Sequence, residues 1–274
     1  MPELQSHVLY ANHVLEDMLD ELLETNLNAM NLMTVDTDLV GHAGMTKKVL
    51  RYSFEGEVQE VERGQGNTVV GKLSHEPKEY TVGTAQQMIN YADEDVMIDP
   101  KVVEYQMQGA AKAMVNHMNE KYMAELGKAT LTLNAEGEAL NYDLVVDALE
   151  AMEANGAIVG ALGERATEGA FLLINPAQKA ELRKDPDFKA AAQGEILFTG
   201  QIGSVAGLPV ISSRLVPASE AYVATHKAVT CFVKKESQVE QDRDINTRVN
   251  TVVMRKVNLV ALTDESQVVK ISLK

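Results

Sequence analysis

The sequence predicts an α+β fold, and three features of the chain lead to that prediction. One long amphipathic helix occupies residues 99–127, alternating strands and helices occupy residues 142–217, and strands dominate residues 221–273. Because the helix precedes the middle stretch and the closing strands follow it, we expect the helix and these strands to pack together. The middle stretch is then an α/β lobe inserted into a discontinuous domain.

The composition is typical of a soluble globular protein. The 274 residues carry a formal net charge of -15, with 45% hydrophobic and 24% charged residues. A chain of this length buries about 75% of the surface that it exposes when unfolded, so it needs no disulfide or metal to form a core. The acidic balance disfavours non-specific binding to nucleic acids and adhesion to anionic membranes.

Cysteine usage and the N-terminus indicate the compartment. The single cysteine, Cys231, lies in the apolar run 229–233, which leaves no partner for a disulfide or a thiolate metal site. The first residues lack the basic start and apolar run of a secretory signal, and no stretch is apolar enough to span a bilayer. We therefore expect a protein made and retained in a reducing cytoplasm, with no membrane partner.

The chain begins with an amphipathic helix, predicted over residues 4–27. Acidic residues occupy its other side, so its apolar face needs a partner surface. An irregular arm follows through Gly44 and is too short and polar to have its own core, so it must lie on something else. The apolar positions at helical spacing are Val8, Leu9, Leu15, Met18, Leu19, Leu22 and Leu23.

Residues 47–82 predict a long, mostly solvated β-hairpin. Short extended runs are interrupted by Gly64, Gln65, Gly66 and Asn67, which mark the turn. The flanks bring few large apolar side chains, and an isolated two-stranded hairpin is marginally stable in water. The projection is therefore expected to dock onto another molecule.

The long helix has clear signals at both ends. Asp99 and Pro100 suit its cap and first position, and Gly127 suits its end. One apolar stripe steps along it by three and four residues, and we expect this stripe to be buried. Its members are Val103, Met107, Ala110, Met114, Met118, Tyr122 and Leu126.

The lobe and the closing strands follow from local patterns. A helix over 142–154 precedes an apolar strand over 170–174, and Asn175 with Pro176 then starts a short helix that Asp185 and Pro186 close. A strand over 208–212 and an exit at Pro217 complete the lobe. The closing strands are predicted at 221–225, 229–234, 249–262 and 268–273.

One segment, residues 66–72, matches most of a phosphate-binding loop. Leu73 stands where a hydroxyl is needed for magnesium, the preceding segment is charged, and Pro77 opposes a following helix. A glycine-containing hairpin is the favoured interpretation, and a nucleotide-dependent enzyme remains a remote alternative.

Other catalytic chemistry is poorly represented in the sequence. The six histidines do not pair at helical spacing, and Ser204 and Ser212 lie outside a nucleophile elbow. The acidic clusters 93–95 and 242–244 are more typical of solvated turns or inter-subunit ion pairs than of paired catalytic carboxylates. We therefore expect no active site, no metal and no cofactor, and a function in assembly.

The order of these elements resembles the major capsid proteins of tailed bacteriophages with the Hong Kong 97-type shell fold, over nearly the whole chain. Segments 174–176 and 207–213 are similar to parts of that family's axial domain. The motifs are individually loose, so the specificity lies in their order and spacing. The resemblance implies an N-terminal arm (1–46), an extended loop (47–86), a peripheral domain with a spine helix (87–140), an inserted axial domain (141–219) and the terminal strands of the peripheral domain (220–274).

The resemblance implies a structural major capsid protein that assembles into pentamers and hexamers around double-stranded DNA, without sequence-specific binding. It implies a virion protein, assembled in the host bacterial cytoplasm with a portal protein and a possible decoration protein. Some members of the family begin with a long scaffolding segment, whereas only a short arm precedes the hairpin here, so a separate scaffolding protein is expected. An encapsulin-like compartment with an enzyme cargo is the alternative. The expected subunit-interface residues of the extended loop are Arg51, Glu57, Glu60, Glu62, Arg63, Lys72, Glu76 and Lys78.

Some members of that family join their subunits covalently through lysine and asparagine. Four lysines of the predicted hairpin qualify by type, but surface lysines are usually only solvated, and solvation is the expectation here. They are Lys47, Lys48, Lys72 and Lys78.

Overall fold

The computed structural model describes residues 14–19, 21, 29–55, 58–61, 64–135, 137, 139–154, 169–184 and 204–273. The strands are β1 (Thr34–Asp36), β2 (Thr46–Glu55), β3 (Lys72–Thr81), β4 (Gly83–Ala92), β5 (Thr132–Asn134), β6 (Ala170–Ile174), β7 (Ser204–Val205), β8 (Leu208–Ser212), β9 (Glu220–Thr225), β10 (Val229–Asp244), β11 (Val249–Leu262) and β12 (Val268–Ser272). The α-helices are α1 (Asp93–Ile98), α2 (Val102–Leu126), α3 (Tyr142–Ala154) and α4 (Pro176–Lys184).

A four-stranded sheet in the order β1-β10-β11-β4 carries the long helix α2. All seven predicted stripe residues of the helix are buried, from Val103 at 1% exposure to Leu126 at 0%. They share one core with apolar side chains of β10 and β11, among them Val229, Val252 and Met254. The prediction that the closing strands pack on the long helix is therefore confirmed for these two strands.

A six-stranded sheet in the order β5-β12-β9-β6-β8-β7 forms the second layer. Its central strand β6 is buried at all five positions because both faces of the sheet are covered. Phe171 and Leu173 face the core shared with α2, whereas Leu172 and Ile174 face a second core closed by α3 and α4. Alternate side chains of one strand thus serve two cores.

The closing strands are divided between the two sheets. Strands β9 and β12 pair with each other and join β6 in the six-stranded sheet, whereas β10 and β11 belong to the four-stranded sheet. The inserted lobe is therefore built on strands that come from both sides of the insertion.

Strand β10 runs to Asp244, ten residues beyond the predicted end at residue 234. Its polar second half pairs with β11, with register shifts between Val233 and Gln238. The sequence prediction stopped too early because polar residues are compatible with a strand once a long partner satisfies the backbone and one face meets solvent.

The start of α2 also differs from the prediction. The helix begins at Val102, and the Asp99 carboxylate accepts a hydrogen bond from the backbone N–H of Lys101 at 2.9 Å. Asp99 and Pro100 therefore form the turn that leads into the helix. Gly127 follows the last helical residue in a right-handed conformation, so it ends the helix without the left-handed geometry typical of glycine caps.

The N-terminal segment finds its partner surface within the chain. Residues 14–19 are helical, and Leu15 and Leu19 are buried in the same core as α2. The arm was expected to be irregular, but its residues Thr34–Asp36 form β1, which pairs in parallel with β10. The remainder of the helix predicted over 4–27 lies mostly outside the described residues.

Candidate functional site

The hairpin formed by β2 and β3 is a ribbon separate from both sheets. The two strands pair antiparallel from Thr46 opposite Thr81 to Glu55 opposite Lys72, so the midpoint of the connection falls between residues 63 and 64. Gly64 has φ +96°, a conformation that disfavours other residues. The predicted hairpin is confirmed, and the predicted turn residues 64–67 lie within its connection.

The distal part of the ribbon exposes apolar side chains. Val58 is 99% exposed, Val70 is 78% exposed and Leu73 is 61% exposed. Among the described residues of the ribbon, those nearest its base contact the body. The outer part therefore offers apolar surface to a partner outside the chain.

Lys47 attaches the first strand of the ribbon to the arm. Its Nζ lies 3.4 Å from Asp36 Oδ2 and 3.2 Å from Asp38 Oδ2, and 5.5 Å from the centre of the Phe232 ring. Partial burial alone lowers the pKa of Lys47, but its hydrogen bonds to these carboxylates and their charges raise the pKa overall. The ammonium is thus held charged at the base of the ribbon.

The second strand is attached by Tyr80 and Lys78. The Tyr80 hydroxyl donates to the carbonyl of Leu262 at 2.9 Å, and its ring lies 6.4 Å from that of Phe232. Lys78 Nζ lies 3.2 Å from Glu265 Oε1. Contacts on both strands of the ribbon therefore fix the direction in which it leaves the body.

The eight predicted interface residues occupy different environments. Glu60 and Lys72 are exposed on the ribbon, and Lys78 is engaged with Glu265 of its own chain. Arg51 and Glu76 stand opposite each other in the strand register, although the positions of their side chains are outside the described part. Glu57, Glu62 and Arg63 lie outside the described residues. The sequence carried no signal for the role of Tyr80, because its partner is a distant backbone carbonyl.

The two acidic clusters meet at one end of the four-stranded sheet. Asp93 forms an ion pair with Arg243 and accepts a hydrogen bond from Asn250 Nδ2 at 2.8 Å. The Asn250 hydrogen bond, followed by the hydrogen bond and charge of Arg243, lowers the pKa of Asp93. Asp95 accepts from the backbone N–H of Ala92 at the start of α1. The clusters were expected to be solvated turns or inter-subunit ion pairs, whereas Asp93 and Arg243 form an ion pair within one chain.

The geometry contradicts a phosphate-binding loop at residues 66–72. A strand begins at Lys72, whereas such a loop needs a helix N-terminus to receive phosphate. Cys231 is buried, and burial raises the pKa of its thiol. Across the described ranges, no three His, Cys, Asp or Glu side chains gather as metal ligands. No helix in the described part of the chain has the length and apolarity needed to cross a membrane.

Comparison with known proteins identifies the family. The sequence profile of the phage capsid protein family matches residues 76–271. The chain belongs to the phage capsid protein family. A curated relative, the major capsid protein of Staphylococcus phage phiMR11, is 25% identical over 266 residues, which cover 94% of this chain and 92% of that protein.

Solved capsid structures share the fold of this phage capsid protein. The capsid of the cyanophage P-SCSP1u aligns with a TM-score of 0.70 at 12% identity, covering 88% of this chain and 86% of that one. The capsid of a native GTA particle gives 0.70 at 12% identity and covers 90% of both chains. The SrpI encapsulin of Synechococcus elongatus PCC 7942 gives 0.63 at 11% identity, covering 89% and 86%.

Family membership confirms the predicted resemblance and the predicted kind of function. This phage capsid protein is a structural protein and a component of the virion, not an enzyme. Its mixed α+β architecture is that of known phage capsids.

Proposed function

We propose that this chain is the major capsid protein of a phage, and that its copies form the pentamers and hexamers of an icosahedral head that encloses double-stranded DNA. In this proposal α2 is the spine helix of the peripheral domain, and the lobe with the six-stranded sheet is the axial domain. The proposal rests on family membership, on the curated relative, and on the shape of the β2–β3 ribbon.

The ribbon is the observation that carries the assembly step. Two strands without a sheet neighbour are marginally stable in water, and this ribbon exposes Val58, Val70 and Leu73. Covering these side chains with a neighbouring copy removes apolar surface from water and pairs a projection with a different surface of the next subunit. Such head-to-tail contacts close into rings when the rotation permits.

In this proposal, the charged residues at the interface orient neighbouring copies more than they strengthen the contact between them. Glu60 and Lys72 are exposed and of opposite sign, and exposed pairs of this kind contribute about 0–1 kcal/mol each. Repeated over every copy of a closed shell, they favour one register between neighbours. We propose the same role in setting the register for the other charged residues of the ribbon, which are Arg51, Glu57, Glu62, Arg63 and Glu76.

The encapsulin alternative has the same fold but a different content. The likeness to the SrpI encapsulin concerns the fold, whereas the family match and the curated relative favour a phage capsid. A separate observation concerns the DNA: the net charge of -15 favours a shell that encloses DNA without binding its phosphates tightly.

Electron microscopy of the purified chain and of particles from infected cells tests the proposal. We expect closed icosahedral shells, and nuclease-protected DNA inside the particles from cells. A chain that stays monomeric under all assembly conditions, or shells that contain an enzyme and no DNA, would contradict it.

The same experiment addresses the partners that the resemblance implies. We propose that a separate scaffolding protein and a portal protein take part in assembly in the host cytoplasm, with a decoration protein as an optional addition. Co-expression with the neighbouring phage genes should narrow the distribution of shell sizes. Uniform, correctly sized shells from this chain alone would show that no separate scaffold is required.

A further inference from the structure

The outward side of α3 carries an arrangement of charge that is unfavourable within the helix itself. Asp143, Asp147, Glu150 and Glu153 are all exposed and follow one another at spacings of three and four residues. Side chains at these spacings are neighbours on a helix, and like charges there destabilise it. The helix contains no basic residue, and its last turn is acidic, opposing the helix dipole.

These carboxylates have no cationic partner among the described residues. No ion pair or hydrogen bond joins Asp143, Asp147, Glu150 or Glu153 to another described side chain. The opposite side of α3 is well packed, since Val145 and Met152 are completely buried. Among the described residues, the exposed side of α3 is therefore an acidic surface without a cationic partner, and a basic surface of another molecule is its complement in charge.

The basic complement lies on the neighbouring helix of the same lobe. Helix α4 carries Lys179 and Lys184 and has a single acidic residue; Lys184 is exposed and Lys179 is half-buried, whereas Arg183 of the same helix already has an interaction within the chain. Its buried Leu182 belongs to the same core as Val145 and Met152, so α3 and α4 cover the same face of the six-stranded sheet.

The two helices are associated with different strands of that sheet. Helix α3 packs over β12 and β9, whereas α4 lies in the connection between the parallel neighbours β6 and β8. The lobe therefore carries an acidic helix over β12 and β9 and a basic helix in the connection between β6 and β8. A surface pair of this kind is complementary between copies related by rotation, as a head-to-tail ring requires.

We propose that the acidic face of α3 in one copy of this chain contacts the basic face of α4 in the next copy around a ring. Tyr142 and Val146, at 44% and 39% exposure, lie beside the carboxylates and supply apolar area to the contact. This inference rests on the proposed function, because it assigns a specific contact within the rings.

Charge reversal and charge exchange test the contact in the full-length chain. One variant combines Asp147→Lys with Glu150→Lys, a second combines Lys179→Glu with Lys184→Glu, and a third carries all four changes. We expect each reversal to lower the assembled fraction in sedimentation by about tenfold or more, and the combined variant to recover assembly to within about twofold of the wild type.

A matched control reverses charge elsewhere. Glu236→Lys with Glu240→Lys alters two exposed carboxylates of β10, in the other sheet, and should assemble like the wild type. Thermal unfolding of every variant verifies folding, and recovery in the combined variant cannot be explained by misfolding.

The outcomes separate the contact from the proposed function. Two results would overturn the contact and leave the capsid function standing. In the first, the α3 reversal impairs assembly no more than the control does. In the second, the combined variant assembles no better than either reversal alone. A wild-type chain that never forms rings or shells would overturn both.

Discussion

The carboxylate of Asp93 illustrates how single residues hold the end of the four-stranded sheet. It joins the start of α1 to Arg243 on β10 and Asn250 on β11, across 150 and 157 residues of sequence. These contacts favour the charged form, so the pKa of Asp93 lies below its ordinary value of 3.8. One side chain thus ties a helix to two strands and couples that junction to pH.

The pH dependence follows from the direction of this shift. A carboxylate with a lowered pKa stabilises the folded state above its unfolded pKa, and that contribution is lost as the pH falls through the folded value. We expect Asp93→Asn to be less stable than the wild type at neutral pH, with the difference shrinking below about pH 3.8.

Urea unfolding of both proteins over a pH series measures this difference. In an Arg243→Gln background the pH-dependent part should be smaller, because one of the groups that lower the pKa has been removed. A wild-type advantage that stays constant down to the lowest pH would refute the assignment.

At the scale of single elements, the helix α2 is a major contributor of buried side chains to the core. Its nine buried residues include Met107, which is completely buried, whereas Tyr105 two positions earlier is 60% exposed. Helix packing of this kind stabilises the chain through removal of apolar surface from water and close contact.

Replacing one stripe residue should therefore cost far more than replacing an exposed neighbour. We expect Met107→Ala to lower the free energy of unfolding by about 2–5 kcal/mol, as for other buried large-to-small changes. Tyr105→Ala, the matched control on the same helix, should change it by about 0.5 kcal/mol or less. Equal losses from the two changes, measured by denaturant unfolding, would mean that the stripe does not carry the core.

The ribbon behaves in the opposite way, because its exposed side chains matter for association and not for folding. We expect Val70→Asp combined with Leu73→Asp to leave the unfolding free energy of the subunit within about 0.5 kcal/mol. The same change should lower the assembled fraction by about tenfold or more, since it places charge in the surface that a neighbour covers.

A conservative pair at the same positions controls for position. Val70→Ile with Leu73→Val keeps the apolar surface and should assemble normally. Assembly of the aspartate variant to the wild-type extent, measured by sedimentation and microscopy, would exclude this part of the ribbon from the interface.

At the scale of the whole molecule, one core joins both sheets. Tyr122 and Leu126 of α2 share that core with Phe171 of β6 and Tyr222 of β9, as well as with the four-stranded sheet. The body is therefore expected to open as a unit, while the ribbon lies outside its main core.

Hydrogen exchange followed by mass spectrometry should reveal this division. In the isolated subunit we expect slow exchange in β10 and β11 and fast exchange over residues 58–61 and 64–71. In assembled particles the ribbon should become protected while the body changes little. Strong protection of the ribbon before assembly would contradict its proposed dependence on a neighbouring copy.

The sequence by itself determined the elements whose pattern is local. Strands β6, β8 and β11 and helix α3 have the predicted bounds, and Asn175 caps α4 as predicted by accepting from the N–H of Ala177 at 2.9 Å. The buried stripe of α2 and the glycine-containing connection of the ribbon were also predicted from the sequence. Helical or alternating spacing, a cap and a glycine turn all depend on residues a few positions apart.

Only the tertiary structure decided which strands pair and what the ribbon touches at its base. The polar half of β10, the division of β9 and β12 from β10 and β11, and the meeting of Lys78 with Glu265 across 187 residues have no local signature. Such contacts depend on where the whole chain brings two segments together. That outcome is set by closing long loops around a shared core and not by the neighbours of any one residue.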